Sequence, residues 1–343
     1  MKYNTEKADI DAENFPCYNC LAGQICRRVE NRHMKTLITG VAGFLGSALA
    51  QKLIENGHEV LGLDDLSTGK EEAIPSQVQF ELGDMLDRPK LWTLLQDVEC
   101  VFHLAARVAV QESILYPREY NSTNVGGTVS VMEAMRDVGV KRVVFTSSGA
   151  VYGAQEEQPL HEDMRPAPDS PYAVSKLSAE YYVKTIGKLW GIETVTLRIF
   201  NAYGPGQHTP ADHPPVIANF LKQAVQDGTL VIHNGGTQTR DFVYLDDVVE
   251  ALIKASKASN VDGNTINIGS GKEVSIVDLA QRVIDLTGVK TETIFNPKSK
   301  GGVSRMRADI TRAADLLGYQ PKHSLSEGLK LTLERDPRYL VSD

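Results

Sequence analysis

The sequence predicts an α/β fold: a doubly wound parallel sheet with a smaller α/β lobe. Three observations carry this. Six short apolar runs alternate with helix-like stretches from Met34 to about residue 200. Those runs are nearly continuous rather than alternating, as expected of strands covered on both faces. Beyond residue 200 the pattern breaks into loops rich in Gly, Pro and His before helices resume.

In chain order, KTLIT opens the sheet and FLGSALAQKLIENG follows with helical periodicity. EVLGL, VQFEL and CVFHL are the next three strands, and NVGGTVSVMEAMRDVG is a helix stopped by a glycine. RVVFTS is the fifth strand. In SPYAVSK, Ser170 is placed to cap a helix and Pro171 fits its first position. TVTLRIF is the sixth strand, and later helices are expected in PPVIANFLKQAVQDG, LDDVVEALIKAS, SIVDLAQRVIDLTG and LSEGLKLTLER. The expected organisation is an N-terminal extension over 1–33 and a nucleotide-binding domain over 34–200. A smaller lobe, 201–343, is expected to bind substrate, with a segment near 240–257 returning to the first domain.

Composition bounds the function. The 343 residues are 42% hydrophobic and 23% charged, enough for a large core. A formal net charge of −8 argues against nucleic acid as a general partner. No apolar run approaches the ~20 residues that span a bilayer, and no secretory h-region opens the chain. Few cysteines fit a reducing, cytoplasmic compartment. Cys17, Cys20 and Cys26 precede His33 with irregular spacing, which reads as an extension rather than a zinc set, so no metal is expected.

The first strand ends in TGVAGFLG, with Gly40, Gly43 and Gly46 spaced for a tight strand-to-helix turn. Such a turn lets backbone approach a pyrophosphate at the positive end of a helix. This is a Rossmann-type dinucleotide site. Asp64 ends the second strand where a carboxylate accepts from ribose hydroxyls; it would repel a 2′-phosphate, so NAD is expected over NADP. Asp84, after the third strand, is placed to reach the adenine amino group. Tyr172 and Lys176 lie one turn apart at the start of a helix. An ammonium beside a phenol, with the helix dipole behind it, favours phenolate and a tyrosine base.

The motifs TGVAGFLG, GDMLD, HLAA, TSSGAVYG, PYAVSK and RIFNAYGPG occur in that order. Together they resemble the extended short-chain dehydrogenase/reductase family, in its NAD-dependent nucleotide-sugar epimerase/dehydratase branch, from Met34 to about Glu334. The resemblance implies Tyr172 as base, Lys176 as the residue binding the nicotinamide ribose, and Ser148 as the third catalytic member. It places Gly40, Gly43, Phe44, Leu45, Gly46, Asp64, Asp84 and Met85 against the cofactor. Leu104, Ala105, Ala106 and Asn124 join them there. It assigns Asn201 and Arg240 to the substrate diphosphate, where a guanidinium fork suits phosphate oxygens. The alternative for Arg240 is an ion pair with Asp241. Arg305 or Arg307 is a further phosphate candidate. A homodimer is also implied.

Relatives that dehydrate or decarboxylate carry acidic residues between the catalytic Ser or Thr and VYG. Here those positions are Gly149 and Ala150. That leaves oxidation and reduction at C4, and hence C4 epimerisation of a UDP-glucose/UDP-galactose type of nucleotide sugar. Other readings stay open: a 4-ketoreductase or dehydrogenase, an epimerase of a UDP-N-acetylhexosamine, UDP-uronate, dTDP- or GDP-sugar, or a non-catalytic dinucleotide-binding regulator.

Overall fold

The structure is a computed structural model, and it describes residues 33–210, 214–288, 292–296 and 303–340. The chain divides into two compact units, Met1–Met34 and Lys35–Asp343. Apart from His33 and Met34, the first unit lies outside the described residues, and with it Cys17, Cys20 and Cys26.

In the second unit, β1 (Lys35–Thr39) leads into helix α1 (Phe44–Glu55) and β2 (Glu59–Asp64). Then come β3 (Gln79–Leu82), α2 (Arg88–Leu94), β4 (Cys100–His103) and α3 (Val110–Leu115). A π-helical segment, Asn121–Gly127, runs into α4 (Thr128–Val138). Strand β5 (Arg142–Ser148), the 20-residue helix α5 (Pro171–Trp190) and β6 (Glu193–Ile199) complete the six strands expected from sequence.

A seventh strand was not expected. After β7 (Asn201–Tyr203), α6 (Val216–Lys222), β8 (Thr229–His233), β9 (Thr239–Tyr244) and α7 (Leu245–Lys257), strand β10 (Asn264–Ile268) joins the main sheet. The sheet order is β10-β6-β5-β4-β1-β2-β3, and every neighbouring pair is parallel. Right-handed crossovers put helices on both faces. On one face Leu49 and Leu53 of α1 share a core with Val248 and Leu252 of α7. On the other, Met132 and Met135 of α4 pack with Val183 and Ile186 of α5.

Smaller sheets form from the remaining strands. One has the order β11-β9-β7, with β11 at Glu273–Ser275; the other pairs β8 with β12 (Glu292–Asn296). Helix α8 (Ile276–Thr287) buries Leu279 and Val283 against Phe220 and Leu230 in a separate apolar cluster. Among the described residues no helix is long and apolar enough to cross a membrane.

Candidate active site

Strand β1 lies between β2 and β4 in the sheet order, so the chain leaves its carboxyl end in opposite directions. A parallel sheet opens a crevice at that point. The turn after β1 fills it with backbone. Gly40 has φ +77°, and a Cβ there would stand 2.7 Å from the Ala105 amide nitrogen. A Cβ on Gly46 would sit 2.0 Å from the Gly40 carbonyl oxygen. Gly43 caps α1 without any side chain, so the first N–H groups of Phe44 and Leu45 point from an uncapped, positive helix end.

Asp64 turns back onto this cradle. Its Oδ2 accepts from the Ala42 amide at 2.9 Å and its Oδ1 from the Leu66 amide at 2.9 Å. Burial holds its carboxyl above the usual range. A cradle closed to any Cβ, a bare helix end and a carboxylate at the tip of β2 fit NAD.

The crevice floor comes from β4. The Leu104 amide donates to the Thr39 carbonyl at 3.1 Å and the Ala105 amide to the Thr39 hydroxyl at 3.3 Å; Ala106 follows. Asp84 is exposed and uses Oδ1 to accept from the Leu86 amide at 2.9 Å; Met85 is buried beside Gly127. Asn124 is more deeply committed than its sequence role implied. Its Oδ1 accepts from the Arg107 amide at 2.8 Å, and its Nδ2 donates to the Arg107 carbonyl and the Ser175 hydroxyl, both at 2.9 Å. It ties the loop after β4 to α5. His103 is buried between the Thr39 and Thr128 hydroxyls, 2.7 and 2.8 Å away, and burial lowers its pKa to about 3. It is a neutral packing residue.

Ser148 ends β5, and its hydroxyl accepts from the Ala150 amide at 3.1 Å. Tyr172 is the second residue of α5, whose N-cap Ser170 accepts from the Ala173 amide at 3.3 Å. Both side chains line one cleft of about 390 Å³. The electrostatics differ from the sequence expectation. Burial pushes the Tyr172 phenol up, and a hydrogen bond with Ser148 opposes it. The Lys176 Nζ sits over the Phe145 ring, 4.5 Å from the centroid. Burial pulls Lys176 itself down to about 7, opposed by Glu180 one turn further on. Spacing brings Tyr172 and Lys176 to one face; burial, not pairing, sets their proton affinities in this structure.

Asn201 and Arg240 line the same cleft. Asn201 donates from Nδ2 to the Asp241 carbonyl at 3.0 Å, fixing its amide beside Arg240. Arg240 donates to the Thr239 carbonyl at 2.7 Å, and no carboxylate pairs with it among the described residues. The alternative pair with Asp241 does not form. Asp241 instead accepts from the Ser270 amide and hydroxyl and from the Gly271 and Ala308 amides. Burial without a counter-charge lowers the Arg240 pKa. Arg305 is held by Glu273 on the surface, whereas Arg307 keeps a buried Nε without a partner.

Among the wall residues that sequence reasoning did not single out are Asp169, Val303 and Met306. Only Asp169 had a local signal, since it directly precedes the cap of α5. Among the described residues no group of three His, Cys, Asp or Glu is placed to hold a metal ion.

Residues 36–269 match the family described as NAD dependent epimerase/dehydratase. The chain belongs to that family. A UDP-glucose 4-epimerase of Mycolicibacterium smegmatis is 38% identical over 308 residues, 88% of this chain and 98% of the relative. The structure of a Thermotoga maritima UDP-glucose 4-epimerase with UDP-glucose aligns with TM-score 0.84 at 36% identity, covering 88% of this chain and 98% of the other. A UDP-glucuronic acid 4-epimerase from Bacillus cereus, with UDP-glucuronic acid and NAD, aligns with TM-score 0.80 at 34% identity and the same coverage.

Within an epimerase/dehydratase framework, Gly149 and Ala150 acquire weight because both line the cleft. Gly149 is buried, and a Cβ there would press on the Phe200 ring at 3.3 Å. The turn that follows Ser148 therefore presents backbone and a methyl group to the cleft, with no acid or base.

Proposed function

We propose that this chain interconverts a UDP-hexose with its C4 epimer, of the UDP-glucose/UDP-galactose type, with Ser148, Tyr172 and Lys176 as its catalytic residues. One observation carries the reading. Ser148 and Tyr172 share a cleft with an unpaired, half-buried Arg240, and no acid stands at Gly149 or Ala150. A proton-transfer pair at one end and an anion site at the other suit a sugar carrying a diphosphate.

When bound, NAD would supply the reversible hydride chemistry at C4. Tyr172 takes the C4 hydroxyl proton as the carbonyl forms and gives it back when the hydride returns. Ser148, whose hydrogen bond already favours the phenolate, steadies the same oxygen. Lys176 holds the nicotinamide ribose, and the glycine turn with Asp64 holds the adenosine half. Arg240 and Asn201 hold the diphosphate. The sugar changes face while its diphosphate stays anchored.

Incubation with UDP-glucose is expected to give UDP-galactose, with NAD copurifying. Assay of UDP-, dTDP- and GDP-sugars would check this. Steady NADH release with a UDP-sugar would instead mean a dehydrogenase.

A second copy of the chain is the proposed partner. Ile114, Leu115 and Tyr116 on and after α3 are exposed, as are Val174, Tyr181 and Tyr182 on α5. Val174 and Tyr181 lie two turns apart on one stripe of α5. An apolar surface of this extent on two adjacent helices suits a symmetric interface. Sedimentation is expected to show a dimer that Tyr181→Glu weakens at least tenfold; a monomeric wild type would contradict this. A cytoplasmic location is proposed with it.

A further inference from the structure

The cleft carries one carboxylate that the proposed reaction does not use. Asp169 lines it, exposed, one residue ahead of Ser170 and three ahead of Tyr172. No hydrogen bond or ion pair engages the Asp169 side chain among the described residues. Among the described residues the only other charged one lining the cleft is Arg240; the rest of that wall is apolar or neutral, including Val110, Phe200 and Met306.

These charges treat two classes of sugar differently. A neutral hexose offers hydroxyl donors, and a carboxylate accepts them. A hexuronate brings a second anion besides its diphosphate. Among the described residues lining the cleft, one guanidinium, that of Arg240, serves both, and Asp169 adds a like charge. Two carboxylates about 5 Å apart in a partly solvated site repel enough to cost on the order of tenfold in affinity or more.

We infer that Asp169 selects nucleotide-linked neutral hexoses against nucleotide-linked hexuronates. The inference rests on the C4-epimerase reading and narrows its substrate. The competing role for Asp169 is structural: a carboxylate ahead of α5 interacts favourably with the helix dipole. That role affects both substrates alike.

The test compares kcat/KM for UDP-glucose and UDP-glucuronate in the wild type and in Asp169→Asn. The wild type is expected to favour UDP-glucose by at least about tenfold. Asp169→Asn is expected to narrow that ratio by about tenfold, mainly by lowering KM for the uronate. In the wild type alone, added salt is expected to narrow the ratio, because screening weakens repulsion at an exposed site. A wild-type ratio near one, or a ratio that neither substitution nor salt moves, overturns the inference and leaves the epimerase reading standing. Loss of the sugar 6-hydroxyl from UDP-glucose would make Asp169 a proton-transfer group and also overturn it. If neither sugar is epimerised, the epimerase reading fails, and competition between the two nucleotides for binding decides Asp169. Weaker uronate binding that Asp169→Asn restores supports selection; equal binding overturns it.

Discussion

Tyr172→Phe is expected to lower turnover at least ~100-fold while the protein still carries its NAD. General acid–base groups contribute roughly 10²–10⁴-fold, and the substitution removes only the phenolic oxygen. The ring itself is secure. It is buried and stands edge-on to Tyr120 with centroids 6.4 Å apart, a contact that Phe preserves. The glycine turn that holds the adenosine half rests on other elements, so cofactor content should not follow turnover down. Measuring kcat alongside released nucleotide separates the two effects. A rate close to wild type would remove Tyr172 from the chemistry; loss of NAD together with activity would mean a damaged site.

Arg240→Ala is expected to raise KM for the nucleotide sugar about 10–100-fold with NAD content unchanged. Hydrogen bonds to charged groups contribute about 1.5–3 kcal/mol each, and 1.4 kcal/mol is tenfold in affinity. Truncation should not unfold the lobe. Among the described residues the guanidinium's one partner is the carbonyl of the preceding residue, Thr239, and no carboxylate there is left stranded. Steady-state kinetics with UDP-glucose and a nucleotide assay of the purified protein check the claim. Equal loss of both ligands would mean that Arg240 supports the whole crevice rather than the diphosphate.

What the sequence made legible was what local spacing controls. Strands β1 to β6 stand out because each carries a short run rich in apolar residues between turns. The glycine turn, and Tyr172 with Lys176, stand out because a tight turn and one helical turn each fix a residue interval. Strand β10 did not, because Asn264 opens it and Asn267 interrupts its apolar run. That amide is fully buried and satisfied from afar: it accepts from the Tyr152 hydroxyl at 2.7 Å and donates to the Leu160 carbonyl at 2.9 Å. A window of sequence cannot see partners more than 100 residues away.

The same limit applies to the site. Met306 and Asp169 line one cleft although the chain between them crosses three apolar clusters. The i, i+4 spacing of Tyr172 and Lys176 suggested an ammonium beside a phenol but gave no sign of the Phe145 ring under Nζ. Burial, which spacing does not report, then sets the proton affinities of both groups.

The central claim is that C4 gives up a hydride and takes the same one back. UDP-glucose deuterated at C4 tests it most directly, with protein purified without added cofactor. The account predicts UDP-galactose that retains deuterium at C4, with no hydrogen from solvent and no NADH accumulating. The 4-keto sugar must stay enclosed between the two transfers. Washout of the label into water would mean that C4 loses a proton instead, and would contradict the hydride mechanism and the roles built on it.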